Sequence, residues 1–236
     1  MHVVTTFIHP TLRRFALGLL ALILLGALPA CNGSKAFVKR GAKMEEAGMM
    51  PQAANLYYTA VVKKPSNIDA MVGLKRTGQV VLGQHIAAFD EAVAYDMRET
   101  ALDAWHDAEA WDAKLEAVGV DLAFPEAKRA MYETVKNAHL DESYRQANIL
   151  LEQEMFDEAL AEFDAILQLD PTYQDAPALR NVAFCEPRYR AGVKAQEGER
   201  YREAHAALSE LTNTDPDYKD ASQRLSDVLE EGRFTV

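Results

Sequence analysis

Two stretches of this chain repeat one another at an offset of 45 residues, and this constrains the fold more than any single motif. Identical pairs include Tyr144/Tyr189, Arg145/Arg190, Glu158/Glu203, Ala159/Ala204, Asp170/Asp215, Pro171/Pro216, Tyr173/Tyr218, Asp175/Asp220 and Ala176/Ala221. The element Pro-x-x-x-Asp-Ala within them occurs a third time, as Pro65, Asp69 and Ala70. A unit of this size cannot bury its apolar face alone and does so against a neighbouring copy, so an array of like units is expected.

Those units read as helical. Only 12 Gly and 9 Pro punctuate 236 residues, and Ala-, Glu- and Leu-rich runs with helical spacing precede each Pro-x-x-x-Asp-Ala. The run over about 34–67 places Phe37, Gly41, Met44, Gly48, Ala53, Tyr57, Ala60 and Pro65 in a pattern that resembles a tetratricopeptide repeat. Ala147, Phe156, Ala159, Phe163 and Pro171 fit the same pattern over about 140–173, and Gly192, Tyr201, Ala204, Leu208 and Pro216 fit it over about 185–218. Small residues let two antiparallel helices approach while larger ones fill the gaps beside them. The resemblance implies an all-α fold of helical-hairpin repeats (an α-solenoid), with helix-A surfaces that take a protein segment. The 45-residue offset exceeds the family's usual period of about 34. The surplus, Tyr173 to Cys185, reads as an extra short helix, and a three-helix repeat of the armadillo or HEAT kind is the structural alternative. Tyr218 to Glu231 reads as a terminal capping helix.

The middle is less regular. Met71, Leu74, Ala87 and Ala94 suggest a degenerate second repeat, broken at Gly83. From Gln84 to Val118 no Pro or Gly occurs, and apolar residues step by three or four throughout, which predicts one helix of roughly 50 Å. Gly119 to Pro125 turns the chain into a second arm, making 84–139 a long helical hairpin with Val118, Val120, Leu122 and Phe124 at its tip.

The amino terminus reads as an address. Arg13-Arg14 precede an uncharged apolar run, Phe15 to Leu28, which is shorter than the roughly 20 residues a spanning helix needs. It ends Leu28-Pro29-Ala30-Cys31, which resembles the lipobox of bacterial lipoproteins, with Pro29 in place of the usual small or β-branched residue. That resemblance implies cleavage of residues 1–30 and lipid attachment at Cys31, and Asn32 in place of Asp leans toward the outer membrane, facing the periplasm. The expected organisation is thus a signal peptide (1–30), an N-terminal repeat with the start of a second (31–83), the hairpin (84–139), and two repeats with a cap (140–236).

Charge and motifs narrow the function. The net charge of −11 argues against nucleic acid, and against broad adhesion to anionic membrane, leaving the lipid as the link. Phosphate-binding loops, nucleophile elbows and zinc-hydrolase motifs are missing from the sequence, so neither catalysis nor a cofactor is expected. Asp96, Glu99, Asp103, His106 and Asp107 share one helical stripe; read as a solvated face, it is also the place where a metal or ligand could bind. Cys185, unpaired once Cys31 is lipidated, reads as a small buried side chain. Tyr144 with Arg145, and Tyr189 with Arg190, stand at equivalent helix-A positions and are the candidate partner-binding residues, because aromatics and Arg anchor interfaces. The expected function is therefore a lipid-anchored envelope scaffold that binds a protein partner; a structural homo-oligomer joined through the hairpin is the further alternative.

Overall fold

A computed structural model describes residues 33–234; the expected signal peptide and Cys31 lie outside the described residues. Among the described residues the fold is all-α, with nine α-helices and no strands. The helices are α1 (Ser34–Glu46), α2 (Met50–Lys63), α3 (Ile68–Ala94), α4 (Arg98–Glu116), α5 (Arg129–Glu152), α6 (Phe156–Leu169), α7 (Ala176–Glu197), α8 (Tyr201–Thr214) and α9 (Ala221–Glu231). Single 3₁₀ turns at Glu126–Lys128 and Gly232–Phe234 flank the last five. The chain divides into two compact units, and α3 and α4 each contribute to both.

The first unit comprises the described residues up to Ala87 together with His106–Phe124. Its core is built around one wedge, the ring of Tyr57 on α2, which is 3% exposed. Gly41 of α1 and Gly73 of α3 both face this ring; a Cβ on Gly41 would lie 3.2 Å from it, and one on Gly73 only 2.5 Å. Three backbones therefore close on one aromatic because two of them lack side chains there. The Tyr57 hydroxyl donates to Glu45 at 2.9 Å, and Arg76 clasps the same carboxylate. At the other end of these helices, buried Ser34 donates to the Ala60 carbonyl at 2.7 Å and accepts from Asn67 at 2.7 Å. The expected tip folds back: Val120 is buried, Val118 and Leu122 pack on the core with it, and Gln79 holds the Ala123 backbone through both its amide groups.

The second unit comprises Ala88–Trp105 and residues from Pro125 onward. Here the 45-residue offset is literal. It carries the end of α5 onto the end of α7, both ends of α6 onto those of α8, and the start of α7 onto that of α9. The start of α5 departs from it, where the chain enters from a 3₁₀ turn, and α9 is half the length of α7. Ala159 and Ala204, one turn into α6 and α8, are fully buried, as are Phe163 and Leu208 one turn further on. Leu208 faces Gly192 on the preceding helix, and Phe163 shares its core cluster with buried Ala147, the residue 45 positions before Gly192. Each Pro-x-x-x-Asp-Ala ends one helix and begins the next, with Ala70, Ala176 and Ala221 all fully buried at the new start.

Two expectations about helix boundaries are corrected. The surplus segment is not a separate short helix, because α7 runs unbroken from Ala176 through Pro187 to Glu197. Proline removes one backbone donor and crowds the preceding turn. Packing against α6 and α8 holds the helix on both sides of the proline, and Arg188 donates its Nη1 to the Phe184 carbonyl at 2.9 Å. The 45-residue unit is accordingly two helices with a long first member rather than three.

The second correction concerns Gln84 to Val118. This stretch is two helices, and α3 passes straight through Gly83 to end at Ala94. Asp96 adopts a left-handed conformation (φ 54°), and the Met97 amide bonds back to the Ala92 carbonyl at 2.9 Å. Gly48, Glu154 and Glu199 hold the same left-handed position in the other helical hairpins, with back-bonds Met49 to Met44, Met155 to Leu150 and Arg200 to Ala195. Four residues after each such amide-donating residue comes a fully buried alanine: Ala53, Ala101, Ala159 and Ala204. The hairpin α3–α4 is thus one of four built on a single turn. Within the first unit its arms pair Gly78 with Leu115 and His85 with Asp107; within the second, Phe89 meets Trp105.

Candidate partner-binding surface

Tyr144 and Tyr189 are placed by the long helices α5 and α7, and each is half-buried. Neither hydroxyl is idle. Tyr144 donates to Asp175, and Tyr189 donates to Asp220 at 2.5 Å. Both aspartates stand at the N-cap of the following helix. The opposite bond is also present in each copy: Tyr173 donates to Asp141 and Tyr218 to Glu186, the latter at 2.6 Å. The ring pairs meet edge to face, with centroids 5.7 Å apart for Tyr144–Tyr173 and 6.1 Å for Tyr189–Tyr218. Each long helix is therefore clasped to the start of the next by two tyrosines and two carboxylates bonded reciprocally. The hydrogen bond to Asp175, followed by burial, raises the Tyr144 hydroxyl above the usual phenol range. Bonds from Tyr189 and then Arg224 hold the Asp220 carboxyl below its usual value.

The two arginines part company. Arg145 is exposed and pairs with Glu142 on its own helix at 2.8 Å. Arg190 spans Glu186 at 2.9 Å and Glu154 at 2.8 Å, with its guanidinium 5.4 Å from the centre of the Phe156 ring. It lines an open cleft of about 390 Å³ together with Leu151, Phe156, Val182, Tyr218 and Lys219. Glu186 also lines that cleft and is absent from the residues that the sequence singles out. Burial pushes its carboxyl up, but bonds from Lys219, Tyr218 and Arg190 outweigh burial and bring it down to about 2. The cleft is amphipathic, and its two cations, Arg190 and Lys219, are already paired with Glu154 and Glu186, so an anionic group entering it must displace these carboxylates. The sequence does carry a signal for Glu186, since it stands 45 residues after Asp141 and both carboxylates take a tyrosine hydroxyl.

The acidic stripe does not assemble. Asp96 pairs with Arg98 at 3.1 Å, Asp107 lies 4.0 Å from the His85 ring, and Asp103 faces solvent. Among the described residues no three His, Cys, Asp or Glu side chains converge to hold a metal ion. Cys185 is fully buried, with its sulfur 3.4 Å from the Asn181 side-chain oxygen, and burial pushes its thiol up, which keeps it protonated and unreactive. No helix among the described residues is long and apolar enough to cross a membrane. No protein-family model and no curated protein sequence matches this chain.

Proposed function

We propose that this protein is a lipid-anchored scaffold of the bacterial envelope, built from tetratricopeptide-like hairpins and binding a protein partner along their first helices. The single observation that supports this most is the recurrence of one hairpin, with the same left-handed turn at Gly48, Asp96, Glu154 and Glu199 and a buried alanine set at the same distance beyond each. Repeats of this kind present extended surfaces rather than pockets, and they serve recognition in many unrelated settings. The surface assigned to the partner is the solvent-facing row of α5, Glu142, Arg145 and Ile149, continued on α7 by Arg190 and Lys194. Ile149 is the apolar member of the row and is exposed. The tyrosines act beneath it, fixing the angle between consecutive long helices through the reciprocal clasp. Cys31, in its lipobox-like setting, is the proposed attachment to the outer membrane, with the folded chain facing the periplasm.

The test is photocrosslinking in cells, with the photoreactive group at Arg145, Ile149 and Arg190 and a control at exposed Ala165 on α6. Capture of one envelope protein from the row and not from Ala165 is the expected result. Equal capture at all four positions, or none, contradicts the assignment.

A further inference from the structure

The chain's charge is not spread evenly, and the exception lies next to the proposed anchor. Residues 34–76 carry eight Lys and Arg against three acids, whereas 77–236 carry fifteen against thirty-three, so a segment of net charge +5 is joined to one of −18. The eight are Lys35, Lys39, Arg40, Lys43, Lys63, Lys64, Lys75 and Arg76. Of the three acids, Glu45 is taken up by Arg76 at the far end of α1, and Asp69 sits in the first turn of α3.

The fold gathers part of this charge at one end of the first unit. Ser34, which bonds Ala60 and Asn67, draws together the start of α1, the end of α2 and the start of α3. Lys63 reaches across to lie 5.5 Å from the centre of the Phe37 ring on α1. Lys35, Lys63 and Lys64 are all exposed there, with Lys39 one turn along α1. On α2 and α3 three apolar side chains are exposed: Ile68, four residues after Lys64 and next to exposed Asp69, is 73% exposed, and Val62 and Val72 are each 54% exposed. Ile68 and Val72 are one turn apart on α3, so they form a short apolar ridge beside the lysines. Isolated exposed apolar residues need no explanation, but a ridge flanked by cations matches the chemistry of a membrane interface.

Covalent geometry points the same way. Three residues lead from Cys31 to the first residue of α1, a reach of at most about 11 Å. An acyl chain on Cys31 would keep this end of the unit close to the lipid headgroups.

We infer that the Lys35–Lys63–Lys64 end of the first unit is a membrane-docking surface that rests on anionic phospholipid, with Ile68, Val62 and Val72 entering the headgroup layer. The inference rests on the anchored reading of Cys31. Its chemistry is that of an interfacial contact: lysine ammonium groups pair with phosphates while their stems and the apolar ridge displace water. It revises the expectation drawn from total charge, because only three of the 36 acids lie in residues 34–76, although the first unit also holds Asp107, Glu109, Asp112, Glu116 and Asp121 on its 106–124 arm. Docking would also fix the orientation of the anchored chain, which a tether alone leaves free.

The experiment places an environment-sensitive thiol label at Ile68→Cys, and separately at Leu229→Cys, in the full chain processed in cells. Buried Cys185 is shielded from the reagent. Each protein is reconstituted into vesicles of phosphatidylethanolamine and phosphatidylglycerol containing a quencher-bearing lipid, and into vesicles of phosphatidylcholine alone. The label at 68 is expected to be quenched severalfold more than the label at 229 in the anionic vesicles. The difference should collapse in phosphatidylcholine, in high salt and in Lys63→Glu/Lys64→Glu, since each lysine lost weakens docking about fivefold. A label at 68 quenched no more than one at 229 overturns the inference. Mass spectrometry of the N-terminal peptide reports acylation of Cys31 independently. An acylated chain with an unquenched label leaves the anchor standing and removes the surface; a quenched label without acylation does the reverse.

Discussion

The last two hairpins and the second one share a turn but solve the packing beneath it differently. In α7–α8 Gly192 lets the partner helix press Leu208 directly against its backbone, and in α5–α6 the equivalent positions hold the buried pair Ala147 and Phe163 in one core cluster. In α3–α4 the corresponding small position holds Phe89, and the large position holds Trp105, also fully buried. Phe89 meets the indole edge-on at 5.2 Å, and the ring of Tyr132 stacks on it at 5.0 Å. One hairpin is spaced by aromatic rings and the other two by a small side chain or none. The turn is thus common to all four hairpins, whereas the pairing of a small with a large residue beneath it is common to three.

The contrast is most exposed to disproof at its aromatic member. Trp105→Ala should cost about 3–5 kcal/mol, read by chemical denaturation, because the cavity left between Phe89 and Tyr132 cannot close. A loss under about 1 kcal/mol would mean that the aromatic packing is not what holds the second hairpin. In the glycine-spaced hairpin, a Cβ at position 192 would fall 2.7 Å from Leu208 Cγ. Gly192→Ala should therefore destabilise by about 1–3 kcal/mol. The same change at Gly83, where no atom lies within 4 Å, should stabilise by about 0.4–1 kcal/mol.

The clasp between repeats predicts a pH signature. Glu186 titrates in the folded chain at about 2, below its ordinary 4.5. A depressed carboxylate contributes stability that is present above the ordinary value and lost as pH falls toward the folded one. Stability should therefore decline as pH drops from about 4.5 to about 2, by no more than about 2 kcal/mol from this group once solvent screening is counted. Glu186→Gln should flatten that decline while lowering stability at neutral pH; an unchanged slope would count against the ion-pair arrangement in the cleft. Smaller still is the effect of the turn itself. Asp96→Gly should stabilise by up to about 1 kcal/mol in the same denaturation measurement, because glycine adopts a positive φ without steric cost.

Much of the architecture is legible in the residues alone. The all-α class, the copied hairpins of 140–218 and the paired helices of 34–63 follow from side chains that recur at fixed spacing, because close helix packing demands small and large residues at set positions. The second hairpin is hidden for a physical reason. Its left-handed residue is an aspartate, which helices also accept, and Phe89 and Trp105 mask the small-and-large pairing that marks the others. Val93, Met97 and Ala101 still step by four across the turn, so the periodicity survives although Met97 is half exposed and Ala101 fully buried. The signal that does cross all four hairpins is shorter. A methionine stands immediately after the turn residue at 49, 97 and 155, with alanine four residues later in each case, and Arg200 with Ala204 completes the set. In the candidate site, the 45-residue repeat marks Tyr144 and Tyr189 as equivalents. Their hydroxyl partners Asp175 and Asp220 lie 31 residues away, a separation that only the folded chain closes.

Among the described residues four hairpins share one turn, and the second of them is the one that the unbroken periodicity of 84–118 denies. Spin labels at His85→Cys and Asp107→Cys test it directly. In one continuous helix those positions would stand about 33 Å apart. In the hairpin their native side chains approach to 4.0 Å. Strong dipolar broadening in the doubly labelled chain, absent from each single label, is the result expected here. Spectra that merely sum the two single labels would contradict the turn at Asp96 and, with it, the repeat array on which the proposed function rests.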